Sequence, residues 1–179
     1  CFNWHNHMLD LGANLEFTPE NLAEFALMGS VLSLSVEGIE NPSIGFLTVG
    51  SESVKGSESI KRASQLIDES RLNYYGFVEG DDIYKGTVNV SVTDGVVGNV
   101  SLKTAEGLAA LVSHVLQNEF KRTWLTKLAA VCALPVLSSV RLKLDPRRYN
   151  GASLLGLNGI VVKSHGSADT SSFLNAIKI

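Results

Sequence analysis

Short apolar runs, each closed by glycine or a small polar cluster, alternate along this chain with longer segments whose apolar residues recur every three or four positions. This alternation predicts an α/β fold in which the chain returns repeatedly to one sheet, because parallel strands need a crossover helix rather than a tight turn between them. The runs 8–11, 44–49, 74–78, 88–92 and 160–163 predict strands. The first helix is well punctuated: Thr18 can cap, Pro19 suits the first helical position, Leu22, Phe25, Ala26, Gly29 and Leu32 share a face, and Gly38 ends it. A second helix over 57–70 places Ile60, Ala63, Leu66 and Ile67 on one side. From 104 to 134 the period continues through Leu108, Leu111, Val112, Val115, Leu116, Phe120, Trp124, Leu125 and Leu128, too long for one ordinary helix. A helical hairpin bending near 119–122 is expected there, with Pro135 stopping its second arm and 137–150 forming an irregular basic connection back to the sheet. No internal repeat is evident.

With 179 residues, 45% hydrophobic and 18% charged, the chain has apolar material for one packed α/β domain over 1–179 and too little charge for disorder. Sixteen glycines against four prolines fit many tight turns and exclude collagen-like or proline-rich character. Cys1 and Cys132 cannot build a disulfide framework, which points to a reducing compartment while counting alone leaves a single bridge between them open, and Cys132, set among Ala and Leu, is expected to be a packed core thiol. No run of about 18 apolar residues predicts a spanning helix. The start at Cys1, without a basic segment followed by an apolar core, is expected of a processed or truncated product and not of a signal peptide.

The net charge of −3 conceals an asymmetry: residues 1–100 carry 5 basic and 14 acidic side chains, whereas 101–150 carry 8 basic and 3 acidic. The basic members are Lys103, Lys121, Arg122, Lys127, Arg141, Lys143, Arg147 and Arg148, interleaved with Leu, Val, Ala and Trp124. Such a segment can face anionic lipid or an acidic partner, or it can be a solvated helix face whose basic stems cover apolar neighbours. Nucleic acid is not expected as a partner, since the chain is acidic overall and carries no recognition signature.

Each predicted strand is followed at once by a small, polar or glycine-containing cluster, and in open α/β sheets such clusters gather beyond the carboxyl edge, where ligands bind. Five loops qualify: 12–14, 50–57, 79–82, 94–99 and 164–169. Any one of them alone is satisfied as an ordinary βα turn. The cluster Lys163-Ser164-His165-Gly166-Ser167 packs a cation, an imidazole, two hydroxyls and a flexible backbone into five residues, ahead of a helix expected after Asp169. Those groups suit an anion such as phosphate. Asp94-Gly95-Val96-Val97-Gly98-Asn99 lets backbone approach a ligand beside a carboxamide, but it is not GxGxxG, and Lys55-Gly56-Ser57 is no P-loop. Adjacent Ser164 and His165 make a poor catalytic dyad, because neighbouring side chains diverge. His5 and His7 with Cys1 imitate a metal site, yet that spacing at a terminus reads as exposed side chains, so no metal is expected.

Taken together, Leu9-Asp10-Leu11-Gly12-Ala13-Asn14, Val78-Glu79-Gly80, Asp94-Gly95-Val96-Val97-Gly98-Asn99-Val100, Leu102-Lys103-Thr104-Ala105-Glu106-Gly107 and Val162-Lys163-Ser164-His165-Gly166-Ser167-Ala168-Asp169 resemble the bacterial phosphate acyltransferase family of phospholipid synthesis, PlsX. The likeness covers only the carboxyl-terminal half of that family's chain, from about Leu9 to Ile179. It departs from the family at Thr93 and Val96, where Cys and Phe are usual, and in the serine-rich loop of Ser51, Ser53 and Ser57.

The resemblance implies a three-layer α/β/α fold like that of isocitrate and isopropylmalate dehydrogenases, with a protruding helical hairpin, in a homodimer without cofactor. It implies transfer of a fatty acyl group from acyl carrier protein to inorganic phosphate, the acyl phosphate passing to a downstream glycerol-phosphate acyltransferase. It also implies a cytoplasmic location with peripheral membrane contact through Leu108, Leu111, Val115 and Trp124. Within that reading Lys163, Ser164 and Ser167 hold the phosphate, and Asn99 with backbone N–H groups near Gly98 meets the developing oxyanion. His165 carries the proton, Lys55 and Asp94 position partners, and Asn14, Gly95 and Gly166 complete the binding loops. A phosphotransacetylase-like reaction with coenzyme A, or a non-catalytic membrane and dimer fragment, are the alternative expectations.

Overall fold

The computed structural model describes residues 6–50, 57–144, 151–164, 166 and 168–178, with Arg141, Lys143 and Leu144 as backbone only. Elements run in the order β1 (His7–Leu9), α1 (Pro19–Glu37), β2 (Ile44–Leu47), α2 (Glu58–Asp68), β3 (Tyr74–Val78), α3 (Asp82–Lys85), β4 (Val90–Val92), α4 (Gly95–Lys121), α5 (Trp124–Leu144), β5 (Ala152–Ser153), β6 (Val162–Lys163) and α6 (Thr170–Lys178). They divide into two units, Cys1–Lys103 and Thr104–Ile179.

The first unit is an α/β layer structure built on a parallel sheet of order β1-β4-β2-β3. The two inner strands, β2 and β4, are buried at every position, which is why their sequences run apolar or small without alternation. Their register sets Ile44, Gly45 and Phe46 against Val90, Ser91 and Val92. Between β2 and β3 the register slips, Ile44 pairing with Tyr74 and Gly45 with Gly76, so Tyr75 is the extra residue of a bulge. Tyr74 donates its hydroxyl hydrogen to Ser64 Oγ at 2.8 Å, tying this outer strand to α2.

The caps of α1 follow the sequence. Thr18 Oγ1 accepts from Asn21 N–H while Asn21 Oδ1 accepts from Thr18 N–H, a reciprocal box that satisfies two otherwise orphaned donors. At the other end Gly38, at φ 70°, closes the helix by donating to Leu34 O. The helix lies against β4 and β1, and Gly29 makes that approach possible: a Cβ there would stand 2.6 Å from Val90 Cγ1 and 2.7 Å from Leu9 Cδ1. For α2, Ser57 is the N-cap, and Ala63 and Ile67 are buried.

Several expectations need correction. The strand expected over 160–163 is the short β6, which pairs antiparallel with β5 in a separate two-stranded sheet. The bend expected near 119–122 is present, at Arg122 and Thr123, where Thr123 Oγ1 accepts from Thr126 N–H and restarts the helix as α5. Pro135 does not stop that helix; it lies inside α5, which continues to Leu144 where an irregular connection was expected. The Val131 carbonyl that loses its helical donor belongs to a residue 62% exposed, so water can satisfy it. Cys132, expected in a core, is exposed. No helix among the described residues is long and apolar enough to cross a membrane.

Substitution of Gly29 by Val is expected to lower unfolding stability by about 1–3 kcal/mol, read as a fall in the urea midpoint at constant slope, because the sheet side chains it meets are themselves packed. Burial, reinforced by Asp68, raises the Tyr74 pKa above its ordinary 10.0 against the opposing bond to Ser64. The protonated ring therefore contributes stability below that pH, and the contribution is lost as pH climbs past it. Tyr74→Phe should flatten this alkaline decline in a denaturation series, and an unchanged decline would assign it to other groups.

Candidate active site

Four parallel strands place their carboxyl ends on one edge of the sheet, so the segments after β1, β2, β3 and β4 all emerge there. Because β1 and β4 are neighbours, their two loops are in contact. Asp10, immediately after β1, is the only described non-glycine residue at positive φ, 60°. Its Oδ1 accepts from the N–H groups of Gly12 at 3.0 Å, Ala13 at 2.8 Å and Asn14 at 3.4 Å, and its Oδ2 accepts from Asn14 Nδ2 at 3.1 Å. One carboxylate thus folds the loop around itself and repays the left-handed backbone.

Immediately after β4, Thr93 is buried and donates its N–H to Leu9 O, and Asp94 Oδ1 then accepts from Val96 and Val97 N–H at 3.0 and 2.9 Å, capping α4. Gly95 and Gly98 are where the loops interlock. A Cβ on Gly95 would run into the Asn14 carbonyl oxygen, and one on Gly98 into that of Asp10. Asn99 comes to lie over Gly12, a Cβ there being 3.3 Å from Asn99 Cβ and 3.6 Å from its Oδ1. The side chains of Asn14 and Asn99 are both exposed at this rim. The structure therefore brings Asn14, Asp94, Gly95, Gly98 and Asn99 together, as two loops locked by backbone contact.

Backbone donors fare differently. Gly98 N–H donates to Asp94 O at 2.9 Å, and those of Val96 and Val97 go to the Asp94 carboxylate. The amides expected near Gly98 for an oxyanion are thus committed to the helix, and the Asn99 carboxamide is the donor at this rim that geometry leaves facing outward. The loop after β3 is internally satisfied. Asp82 accepts from Glu79 N–H at 2.9 Å and Thr87 Oγ1–H at 2.8 Å, and Lys85 lies 3.8 Å away. The Glu79 N–H bond is the main reason its carboxyl sits below the usual range. Of the loop after β2, Lys55 lies outside the described residues.

In the second unit Lys163 ends β6, opposite Ala152, with its side chain exposed, and Ser164 is half-buried. Gly166 has open space around it, while His165 and Ser167 lie outside the described residues. Asp169 Oδ1 accepts from Ser172 N–H and Oγ–H at 2.8 and 2.7 Å, so one of the α6 amides expected for an anion is already capped. Leu108, Leu111 and Val115 on α4 and Trp124 on α5 are all exposed, Trp124 at 73%. At the amino terminus, Cys1 and His5 lie outside the described residues. His7, expected to be exposed, is half-buried with Nε2 3.4 Å from Glu37 Oε1, and no metal-binding group of side chains occurs among the described residues.

Gly12 falls in the 12–14 loop expected at the ligand edge, whereas Asp10 has no role in the sequence beyond its place in the 9–14 motif. The available signal was an aspartate directly after a strand and two residues before a glycine, the pattern of a side chain that caps its own turn.

A crossover α/β protein with two interlocked loops at the carboxyl edge of a parallel sheet is the class that this fold and rim define. The chain belongs to the family described as fatty acid synthesis protein, whose model matches residues 3–179. It is 55% identical over 175 residues to a phosphate acyltransferase of Nitrosococcus oceani, covering 98% of this chain and 52% of the relative. Similar proteins of the same name are found in Methylococcus capsulatus, 55% identical over 98% of this chain and 52% of the relative, and Paraburkholderia phymatum, 58% identical over 96% and 46%. The chain spans about half the length of these relatives.

The interlock separates structural from chemical roles. Gly98→Ala should cost about 1–3 kcal/mol in unfolding stability, since the Asp10 backbone must move, whereas Asn99→Ala at the exposed rim should stay within about 0.5 kcal/mol. Equal losses in parallel thermal melts would refute the division.

Proposed function

We propose that this chain forms the carboxyl-terminal half of a phosphate acyltransferase that moves a fatty acyl group from acyl carrier protein to inorganic phosphate. The observation that carries the reading is identity of 55% across nearly the whole chain to proteins of that name, together with an interlocked loop pair that presents a carboxamide at the carboxyl edge of a sheet. A phosphate oxygen bonds to the thioester carbonyl carbon, the C–S bond breaks, and the thiol leaves with the proton given up by phosphate. The product is an acyl phosphate, and no covalent enzyme intermediate is required.

In this reading the Asn99 amide donates to the carbonyl oxygen as it gains charge, where a preorganised donor is worth more than water. Lys163, Ser164 and Ser167 hold the phosphate, and Gly166 leaves room for it. His165 carries the proton from phosphate to the departing sulfur, a task suited to a side chain that titrates near neutral pH. Lys55 positions phosphate or carrier, and Asp94, Gly95 and Asn14 keep the rim in shape. The finer fold that goes with this function is the three-layer architecture of isocitrate and isopropylmalate dehydrogenases. The protein works in the cytoplasm as a homodimer that touches the membrane through α4 and α5, delivering acyl phosphate to a glycerol-phosphate acyltransferase. Exposed Leu108, Leu111, Val115 and Trp124, interleaved with Lys121, Arg122 and Lys127, support lipid contact.

The test is an acyl-transfer assay on the complete protein, with acyl carrier protein and coenzyme A thioesters compared and phosphate varied. His165→Ala is expected to lower turnover at least about tenfold, with the carrier-protein thioester preferred. An unchanged rate would remove His165 from the mechanism, and a preference for coenzyme A would replace the proposed donor.

A further inference from the structure

The Asn99 carboxamide, the donor at the rim, forms no hydrogen bond with another described residue. Packing alone decides where it stands. The Gly12 backbone lies beneath it, so close that a Cβ on Gly12 would be 3.3 Å from Asn99 Cβ, 3.5 Å from its Cγ and 3.6 Å from its Oδ1. Gly12 is held in turn at φ 113°, and its N–H donates to Asp10 Oδ1 at 3.0 Å. The same oxygen faces the second loop, since a Cβ on Gly95 would be 2.9 Å from it. Every hydrogen bond that the Asp10 side chain accepts comes from residues 12–14, and its own backbone occupies a region that residues with a Cβ seldom adopt.

We infer that Asp10 is a positioning residue for acyl transfer: its carboxylate fixes the Gly12 floor on which the Asn99 amide rests, and so sets where that amide meets the carbonyl oxygen. This rests on the acyl-transfer reading above and adds to it a residue that touches no reactant. An ionised carboxylate only accepts hydrogen bonds and would oppose an oxyanion, so Asp10 serves by gathering N–H groups and acts through Asn99. An amide that bonds the carbonyl oxygen mainly as charge develops there stabilises the transition state more than bound substrate. Its displacement therefore lowers kcat and leaves the KM for phosphate nearly unchanged.

A double-mutant cycle in the complete protein tests this, with kcat for transfer from the carrier-protein thioester and KM for phosphate measured in each variant. Asp10→Ala is expected to lower kcat about tenfold or more at nearly constant KM for phosphate, and Asn99→Ala about a hundredfold. The double variant should fall no further than Asn99→Ala, because misplacing an amide that is already gone costs nothing more. Asp10→Asn, whose Oδ1 still accepts from Gly12 and Ala13, should return kcat to within about threefold of wild type. Losses that multiply in the double variant, a wild-type kcat in Asp10→Ala or in Asn99→Ala, a change confined to KM, or an Asp10→Asn no better than Asp10→Ala would each overturn the positioning role while leaving the acyl transfer intact. Should Asp10→Ala not fold, Gly12→Ala, which presses on Asn99 from below, carries the same cycle: its loss of kcat must vanish in the Asn99→Ala background, and a loss that persists there overturns the role. A wild-type protein that transfers no acyl group to phosphate would overturn the proposed function and this inference together.

Discussion

The contact on which the loop rim of the first unit depends is the approach of Gly98 to the Asp10 carbonyl. It is a backbone-on-backbone contact with no room for a Cβ, so it fixes two loops relative to each other more tightly than any pair of flexible side chains would. Adjacent parallel pairing of β1 and β4 brings the loops to the same place, and the Asp10 carboxylate, by gathering three backbone N–H groups, keeps the first loop shaped to receive the second. The exposed Asn99 amide inherits its position from that framework.

Helices of the first unit show how one sheet is covered in two ways. With its polar outer face, α2 needs nothing beyond the groove beneath it, and Ala63 and Ile67 suffice to seat it. By contrast, α1 is apolar on both sides, and its outer stripe leaves the unit with a surface that water alone covers poorly.

Local signals were read correctly where the physics is local. The Thr18 box, Pro19 and Gly38 delimit α1, Ser57 caps α2, and 74–78 is a strand as expected, because capping and turn chemistry act within a few residues. Pro135 misled for the opposite reason. Its helix-breaking cost assumes an unsatisfied carbonyl, and exposure of Val131 removes that assumption. Cys132 misled likewise, since apolar neighbours in sequence predict burial only if the helix face they share is covered.

The amino-acid sequence by itself determined the α/β class, the crossover helices, the caps and the set of loop residues from which a site can be built, because periodicity and turn chemistry are written in neighbouring positions. Only the tertiary structure decided that β4 lies between β1 and β2, that β6 pairs antiparallel with β5, and that Asp10 and Gly98 meet. Strand partners and loop contacts join residues many tens of positions apart, and an apolar run offers the same face to whichever neighbour the whole chain brings to it.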